Sequence, residues 1–482
     1  MTQRRLRITG ATILLAALML RLTPGSSPEA FIVGERGPQA VWAKASSVSA
    51  QTTLYLPLVT RDFDPSYVSP FGIVMYGAVD APAGLNQMQA AGSRSVTTYF
   101  HWSLVEPNAP VAGTHSYDWS AFDTKVNNAA AAGMQIYVLF SGNPLWAAQY
   151  VGGPVDPNRV PDLVAFVTAM VERYDGDGLN DASGSPVVNY WSFYAEPDNG
   201  NPAYAAVGWG FWGHDGAGYA EMLSQVSPAI HSANPKAKVL IGGIAHDYFE
   251  EAGGPFVRSF LPDTLQALNT NYGGAANYID AVAFHYYPIN PGEWLTLRDK
   301  ALHIQSILSQ YGVGQLPLIA PEVGFWSDPA LGPNETGQAQ AVVQTYVRGL
   351  SVGIVQISWF LVFDDTTNTG LFRGTNLSEP KPSYFAYQTM TRELDGAQYV
   401  RNVSVSGAEG YVFRMPNGRE KTVVWGNPAG AQVSFAGSCL RVADLLGSVA
   451  QILDGEAGDL DGPNGQVRIQ VFANQPVYTE AC

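Results

Sequence analysis

The chain has 482 residues, 46% hydrophobic and 12% aromatic, enough for a large core and more than one domain and too aromatic for a disordered chain. Its 26 Lys and Arg against 41 Asp and Glu leave a net charge of −15, which argues against the basic surface a nucleic-acid partner needs. Two cysteines, Cys439 and Cys482, cannot form a cysteine-based zinc or iron–sulfur site alone, and no HExxH occurs among the seven histidines.

At the N-terminus, Arg4, Arg5 and Arg7 precede an apolar run from Ile8 to Leu20, followed by Pro24, Gly25 and Ser26. A basic start, a short apolar stretch and small residues after it read as a secretory signal over residues 1–30. The run falls short of the ~20 apolar residues of a spanning helix, and the competing reading is an uncleaved N-terminal anchor. The expected location is therefore secreted, with or without cell-surface anchoring. Export permits a Cys439–Cys482 disulfide, with two free buried thiols as the alternative. Residues 31–66 read as linker, with one short strand-like run at Thr52–Val59.

From Phe71 onward, short β-branched or aromatic runs alternate with segments of helical periodicity. The strand candidates are Phe71–Gly77, Ser95–Trp102, Gln135–Gly142, Val187–Glu196, Lys238–Ala245, Ile279–Tyr287, Leu316–Val323 and Val355–Phe363. Helix candidates include Trp119–Ala132, Pro161–Tyr174, Tyr219–Ser232, Arg298–Tyr311, Gln338–Ser351 and Ser383–Leu394. Gly92 and Gly133 stand where helices should end. The strands are apolar on both faces, as in a buried parallel sheet. Eight such units predict a (β/α)8 TIM barrel over residues 67–397; an open doubly wound sheet is the alternative, without a glycine-rich fingerprint after its first strand. Beyond residue 398, short strands such as Tyr411–Arg414, Thr422–Trp425 and Val467–Val471 are separated by Gly, Pro and Asn turns. They predict a small all-β, sandwich-like domain over residues 398–482.

A barrel carries its active residues at the C-terminal ends of its strands. There stand Glu196 and Glu322, each after an apolar run, with no Arg or Lys in either strand-end run. An unpaired carboxylate is costly in such a place, and two together suit acid/base and nucleophilic work on a glycosidic bond. Trp102, Trp146, Tyr194, Tyr287, Trp326 and Trp359 are expected to line the mouth, where aromatic faces stack on sugar rings; Asn143 and His285 offer hydrogen bonds to hydroxyls. The expected partner is a carbohydrate, with no nucleic acid, no membrane beyond the N-terminal anchor reading, no cofactor and no metal. The Asp175–Asp181 run has calcium-like oxygen donors but lacks the twelve-residue loop spacing, and reads as a solvated turn.

The run Trp102-Ser103-Leu104-Val105-Glu106-Pro107, the segment Trp191-Ser192-Phe193-Tyr194-Ala195-Glu196-Pro197-Asp198, His285-Tyr286-Tyr287-Pro288, Glu322-Val323-Gly324 and Trp359 occur in barrel order. In this the chain resembles the clan A retaining glycoside hydrolases, and its C-terminal β domain is similar to the one appended in xylosidase- and cellulase-like members. The resemblance implies Glu196 as acid/base, Glu322 as nucleophile, and carboxyls about 5–5.5 Å apart. Three positions depart from that pattern: Ala195 where the family has Asn, Thr97 where it tends to carry Arg, and Pro321 where Thr or a similar residue is common. They keep open an alternative reading, a weakly active or inactive carbohydrate-binding barrel.

Overall fold

The computed structural model describes residues 69–205, 210–288, 292–328, 334–366 and 368–482. The N-terminal segment with the signal, linker and Thr52–Val59 readings lies outside the described residues. Eight parallel strands, hydrogen-bonded in chain order, close into a barrel: β1 Phe71–Val74, β2 Ser95–His101, β3 Gln135–Ser141, β4 Tyr190–Phe193, β5 Lys238–Ile244, β6 Ala281–Tyr286, β7 Leu318–Val323 and β8 Gln356–Trp359. Each is followed by a helix: α1 Leu85–Ala90, α2 Ser120–Ala131, α3 Val160–Arg173, α4 Gly216–Ala233, α5 Phe260–Asn271, α6 Leu297–Gln310, α7 Glu335–Leu350 and α8 Pro382–Leu394. The fold is the TIM barrel that the alternation predicts.

Local chemistry sets the joints. Asp215, Thr296 and Asn334 accept backbone N–H bonds at the starts of α4, α6 and α7. Gly92 follows α1 at φ 90°, and a Cβ there would fall 2.5 Å from Thr391 Oγ1 of α8, so the turn needs glycine for its backbone angle and for packing. Two helices carry weak sequence signals: α1 is too short to show a period, and α5 has Pro262 in its first turn. The fourth strand is shorter than its apolar run. It ends at Phe193 because Tyr194 and Glu196 take left-handed backbone angles, φ 63° and 50°, which cannot continue a strand.

The barrel interior has two characters. On the β3–β7 side Tyr137, Tyr190, Leu240, Ala281, Ala283 and Ile319 pack together. On the other side the side chains are polar and pair with each other: Thr97 Oγ1 with Ser358 Oγ at 2.8 Å, and Gln356 with Ser95 and Ser358. Thr97 is thus occupied inside the barrel, below the mouth.

The C-terminal strands form a six-stranded antiparallel sheet, β14-β13-β16-β11-β10-β9, and a two-stranded ribbon, β12-β15. They span β9 Gln398–Asn402, β10 Ala408–Arg414, β11 Glu420–Gly426, β12 Ala431–Ala436, β13 Cys439–Ala443, β14 Val449–Leu453, β15 Gln466–Val471 and β16 Val477–Ala481. Alternation along β11 shows how the layers stack. Val423 and Trp425 join the core shared with the barrel, while Val424 packs with Val433 and Ile469 of the ribbon. Two ion-pair groups link the sheet to the barrel: Arg348 of α7 holds Glu409 through two 2.7 Å bonds, and Glu393 of α8 accepts from Lys421 at 2.6 Å and Arg441 at 2.9 Å. Cys439 and Cys482 form a disulfide. Among the described residues no helix is long and apolar enough to cross a membrane.

Candidate active site

Period-two alternation carries Thr97, Tyr99 and His101 of β2 to one side of the strand, and Tyr99 reaches across to β7. There its hydroxyl donates to Glu322 Oε1 at 2.7 Å, and the Tyr287 hydroxyl, just past β6, donates to Glu322 Oε2 at 3.0 Å. His285 of β6 sits beside Glu322 in register. Its Nδ1 lies 3.4 Å from Glu322 Oε2 and 3.2 Å from Glu196 Oε1. The two legs cap the separation of these carboxylate oxygens at their sum, about 6.6 Å.

Glu196 stands in the turn beyond β4, its N–H bonded to the carbonyl of Gly243 at 2.8 Å. Its left-handed backbone aims the carboxyl back toward His285, and 12% of its side chain remains exposed. Gly243 permits this arrangement, since a Cβ there would lie 2.1 Å from His285 Nε2. Asp198 braces the turn by accepting the N–H groups of Ala245 and His246 at 2.9 and 2.7 Å. Behind it Lys300 of α6 is buried, donating to the Ala245 carbonyl and lying 3.8 Å from Asp247 Oδ2.

Burial dominates the electrostatics. It pushes the Glu196 carboxyl up to about 7, against the opposing pull of the Lys300 charge. Glu322 is also raised by burial, with His285 and the two tyrosine hydroxyls working against the rise and the Glu196 charge adding to it. His285 is lowered by burial, and Tyr99 and Tyr287 stay protonated far above their ordinary range. Two carboxylates this close resist ionising together. The charge belongs on Glu322, which has two phenolic donors, and the proton on Glu196, whose side chain meets His285 Nδ1 at 3.2 Å.

Of the residues expected at the site, the structure brings Glu196, Glu322, His285 and Tyr287 together. Trp326 packs against Tyr287 with ring centroids 6.1 Å apart. The six-ring rim does not form. Trp102, Tyr194 and Trp359 are 0% exposed, because an aromatic at a strand end also fits the layer between barrel and helices. Trp102 donates to Glu106 and stacks on Phe166 of α3, and Trp359 donates to the Thr369 carbonyl. Asn143 is buried, tying the Gly153 carbonyl to the Tyr194 hydroxyl. Trp146 is half-buried, donates to the Glu106 carbonyl and lies under the Arg159 guanidinium at 5.6 Å. Ala195 brings no polar group to its position.

Tyr99, Lys300 and the bracing role of Asp198 escape the sequence reading; only the alternation from Thr97 points to Tyr99. Gly349-Leu350-Ser351-Val352-Gly353 matches the letters of a hydrolase elbow. Ser351, however, is a buried residue ending α7, donating to the Arg348 carbonyl, and not a strand-to-helix nucleophile. The Asp175, Asp177 and Asp181 carboxylates converge within 4.8 Å, with turn N–H groups bonded to them.

No family model and no curated protein matches the sequence. Solved structures do match. A family 39 glycoside hydrolase from Bacteroides cellulosilyticus aligns at TM-score 0.62 and 16% identity, over 86% of this chain and 81% of that one. A GH30 endoxylanase from Clostridium papyrosolvens aligns at 0.58 and 12%, over 86% and 97%. A GH39 β-xylosidase from Caulobacter crescentus aligns at 0.58 and 15%, over 86% and 96%. At these identities the likeness establishes one thing: the chain has the fold of these glycoside hydrolases.

Proposed function

We propose that the protein is a retaining glycoside hydrolase that cleaves β-glycosidic bonds in a polysaccharide or its oligomers. The observation that carries this reading is the convergence of Glu196 and Glu322 on one imidazole nitrogen, with two tyrosine donors on Glu322 alone. The 6.6 Å ceiling on the oxygen separation favours the closer retaining geometry over the wider inverting one. In the first step a Glu322 oxygen bonds to the anomeric carbon as the glycosidic bond breaks, and Glu196 gives its proton to the leaving oxygen. In the second, Glu196 takes a proton from water, whose oxygen displaces Glu322 from the sugar. The names of the structural neighbours, a xylosidase and an endoxylanase among them, support neutral plant-type glycans as the first substrates to try. The N-terminal pattern of arginines and apolar residues supports export.

Ala195 and the internally paired Thr97 favour a second reading, a barrel that binds sugar without turnover. Reducing-sugar release from a polysaccharide panel decides between them, with wild type run beside Glu322→Ala. Release by wild type alone supports the hydrolase. Release by neither, with glycan binding retained by both, supports the binding barrel.

A further inference from the structure

Where β1 ends, β2 runs on toward the mouth without it. The last paired residues of the two strands are Val74 and Thr97, and one more ladder bond follows, from the Met75 N–H to the Thr97 carbonyl at 2.9 Å. Carbonyls two residues apart face the same side of a strand, so the Tyr99 carbonyl also faces β1, which has by then turned away. Lys125 of α2 fills the missing place. Its Nζ donates to the Tyr76 carbonyl at 2.9 Å, the Tyr99 carbonyl at 3.2 Å and Thr98 Oγ1 at 3.3 Å. One turn on, Asn128 Nδ2 donates to the Val79 carbonyl at 2.9 Å, so α2 holds the loop after β1 at two points.

This arrangement carries a cost. The three acceptors are neutral oxygens, and burial pushes the Lys125 ammonium down to about 8. A solvated helix lysine would avoid that cost. What the ammonium gains is a hold on two particular residues. The Tyr76 and Tyr99 rings meet with centroids 5.0 Å apart, and Tyr99 donates to Glu322 Oε1 at 2.7 Å. Tyr76 packs in the same cluster as Tyr287, Trp326 and Phe360, and burial, with the Glu322 charge adding to it, keeps its hydroxyl protonated well above its ordinary range. Each of the two carbonyls helps to fix the backbone from which its ring reaches toward Glu322. A small displacement of the end of β2 would lengthen the Tyr99 bond, and a charge-assisted hydrogen bond draws its strength from being short.

We infer that Lys125 is a positioning residue for Glu322: by holding the Tyr76 and Tyr99 carbonyls where β1 leaves the ladder, it keeps the Tyr99 hydroxyl on the carboxylate. Its meaning for catalysis rests on the hydrolase reading, and the test separates the two by reading the carboxyl itself. The Glu322 carboxyl is titrated by carbon-13 NMR in protein carrying carboxyl-labelled glutamate, its signal assigned by its loss in Glu322→Gln. Lys125→Met should raise the midpoint by about one pH unit alone, and by less than about 0.3 in a Tyr99→Phe background, where the bond is already gone. Asn128→Ala, which frees the same helix from the Val79 carbonyl and touches neither tyrosine, should leave the midpoint in place. Equal shifts from Lys125→Met in both backgrounds overturn the inference, because they report a lost charge and not a lost position. An unmoved midpoint in the folded variant overturns it as well, and so does an equal shift in Asn128→Ala. Should Lys125→Met not fold, Lys125→Gln, which keeps N–H donors on a shorter reach, is read in the same way. On the hydrolase reading, the acidic limb of kcat/KM follows the midpoint. If wild type hydrolyses no chromogenic glycoside, that reading fails and the midpoints still decide the role of Lys125.

Discussion

The two hydroxyls on Glu322 make a quantitative claim. Tyr99 donates at 2.7 Å and Tyr287 at 3.0 Å to a buried carboxylate, and a hydrogen bond to a charged group contributes about 1.5–3 kcal/mol. Tyr99→Phe removes one oxygen and leaves the ring, which is held by Tyr76 at 5.0 Å and His101 at 5.9 Å between centroids. The lost bond favours only the ionised form, so Glu322 becomes easier to protonate. At 1.36 kcal/mol per pH unit, the acidic limb of the kcat/KM profile should move upward by about one to two pH units. Tyr287→Phe, with the longer bond, should move it less. The assay is hydrolysis of a chromogenic xyloside across pH 3–9, with thermal melts as a folding control. An acidic limb unmoved in both folded variants would refute the assignment of Glu322 as the group that must be ionised.

The opposite limb tests Lys300. Burial raises the Glu196 carboxyl and the Lys300 charge holds it down, so Lys300→Met should carry the alkaline limb upward; a limb that stays or falls would count against Glu196 as the acid. At Gly243 an added methyl meets His285 Nε2, and Gly243→Ala should cut kcat/KM by about tenfold or more through a misplaced imidazole; wild-type kinetics would show that His285 is not needed where it stands. Burial pushes the Glu393 carboxyl up, but Arg441 and Lys421 outweigh it and hold the group at about 2. Its contribution to stability is therefore complete above the ordinary carboxylate range and is lost as pH falls toward 2. Glu393→Ala leaves Lys421 buried without its close partner and should cost about 3–5 kcal/mol in urea unfolding at neutral pH; a loss under about 1 kcal/mol would mean that this junction is not a stabilising one.

The barrel was legible because its strands are buried on both faces and its helices on one, so two periods alternate along the chain. Glu196 and Glu322 were legible because a charge after an apolar run is costly without a purpose. Their supporting residues were hidden by the same logic. Tyr99 lies inside the apolar run of β2, where a tyrosine reads as core. Lys300 follows Asp299 on α6 and reads as a solvated helix lysine, yet its partner carbonyl is 55 residues away. The tryptophans misled for a related reason: Trp102 and Trp359 are strand-end aromatics whose indole N–H groups are satisfied inside the fold, and composition does not separate a packing ring from a stacking one.

The distribution of one proton connects these residues. Glu196 and Glu322 share His285 Nδ1 as a neighbour, and their mutual repulsion favours a single negative charge between them. Were the site symmetric, the proton would be shared and neither group would have a fixed role. Symmetry is broken from two directions: hydroxyls on β2 and just past β6 stabilise charge on Glu322, and among the described residues Glu196, in the left-handed turn beyond β4, has no comparable pair of donors. Lys300, from α6, then limits how tightly Glu196 holds its proton, which, on the hydrolase reading proposed above, suits a group that gives that proton up and later takes one back. Neither Ala195 nor Thr97 enters this balance. On the hydrolase reading, their departures should therefore bear on how firmly the sugar is held rather than on which carboxyl attacks it.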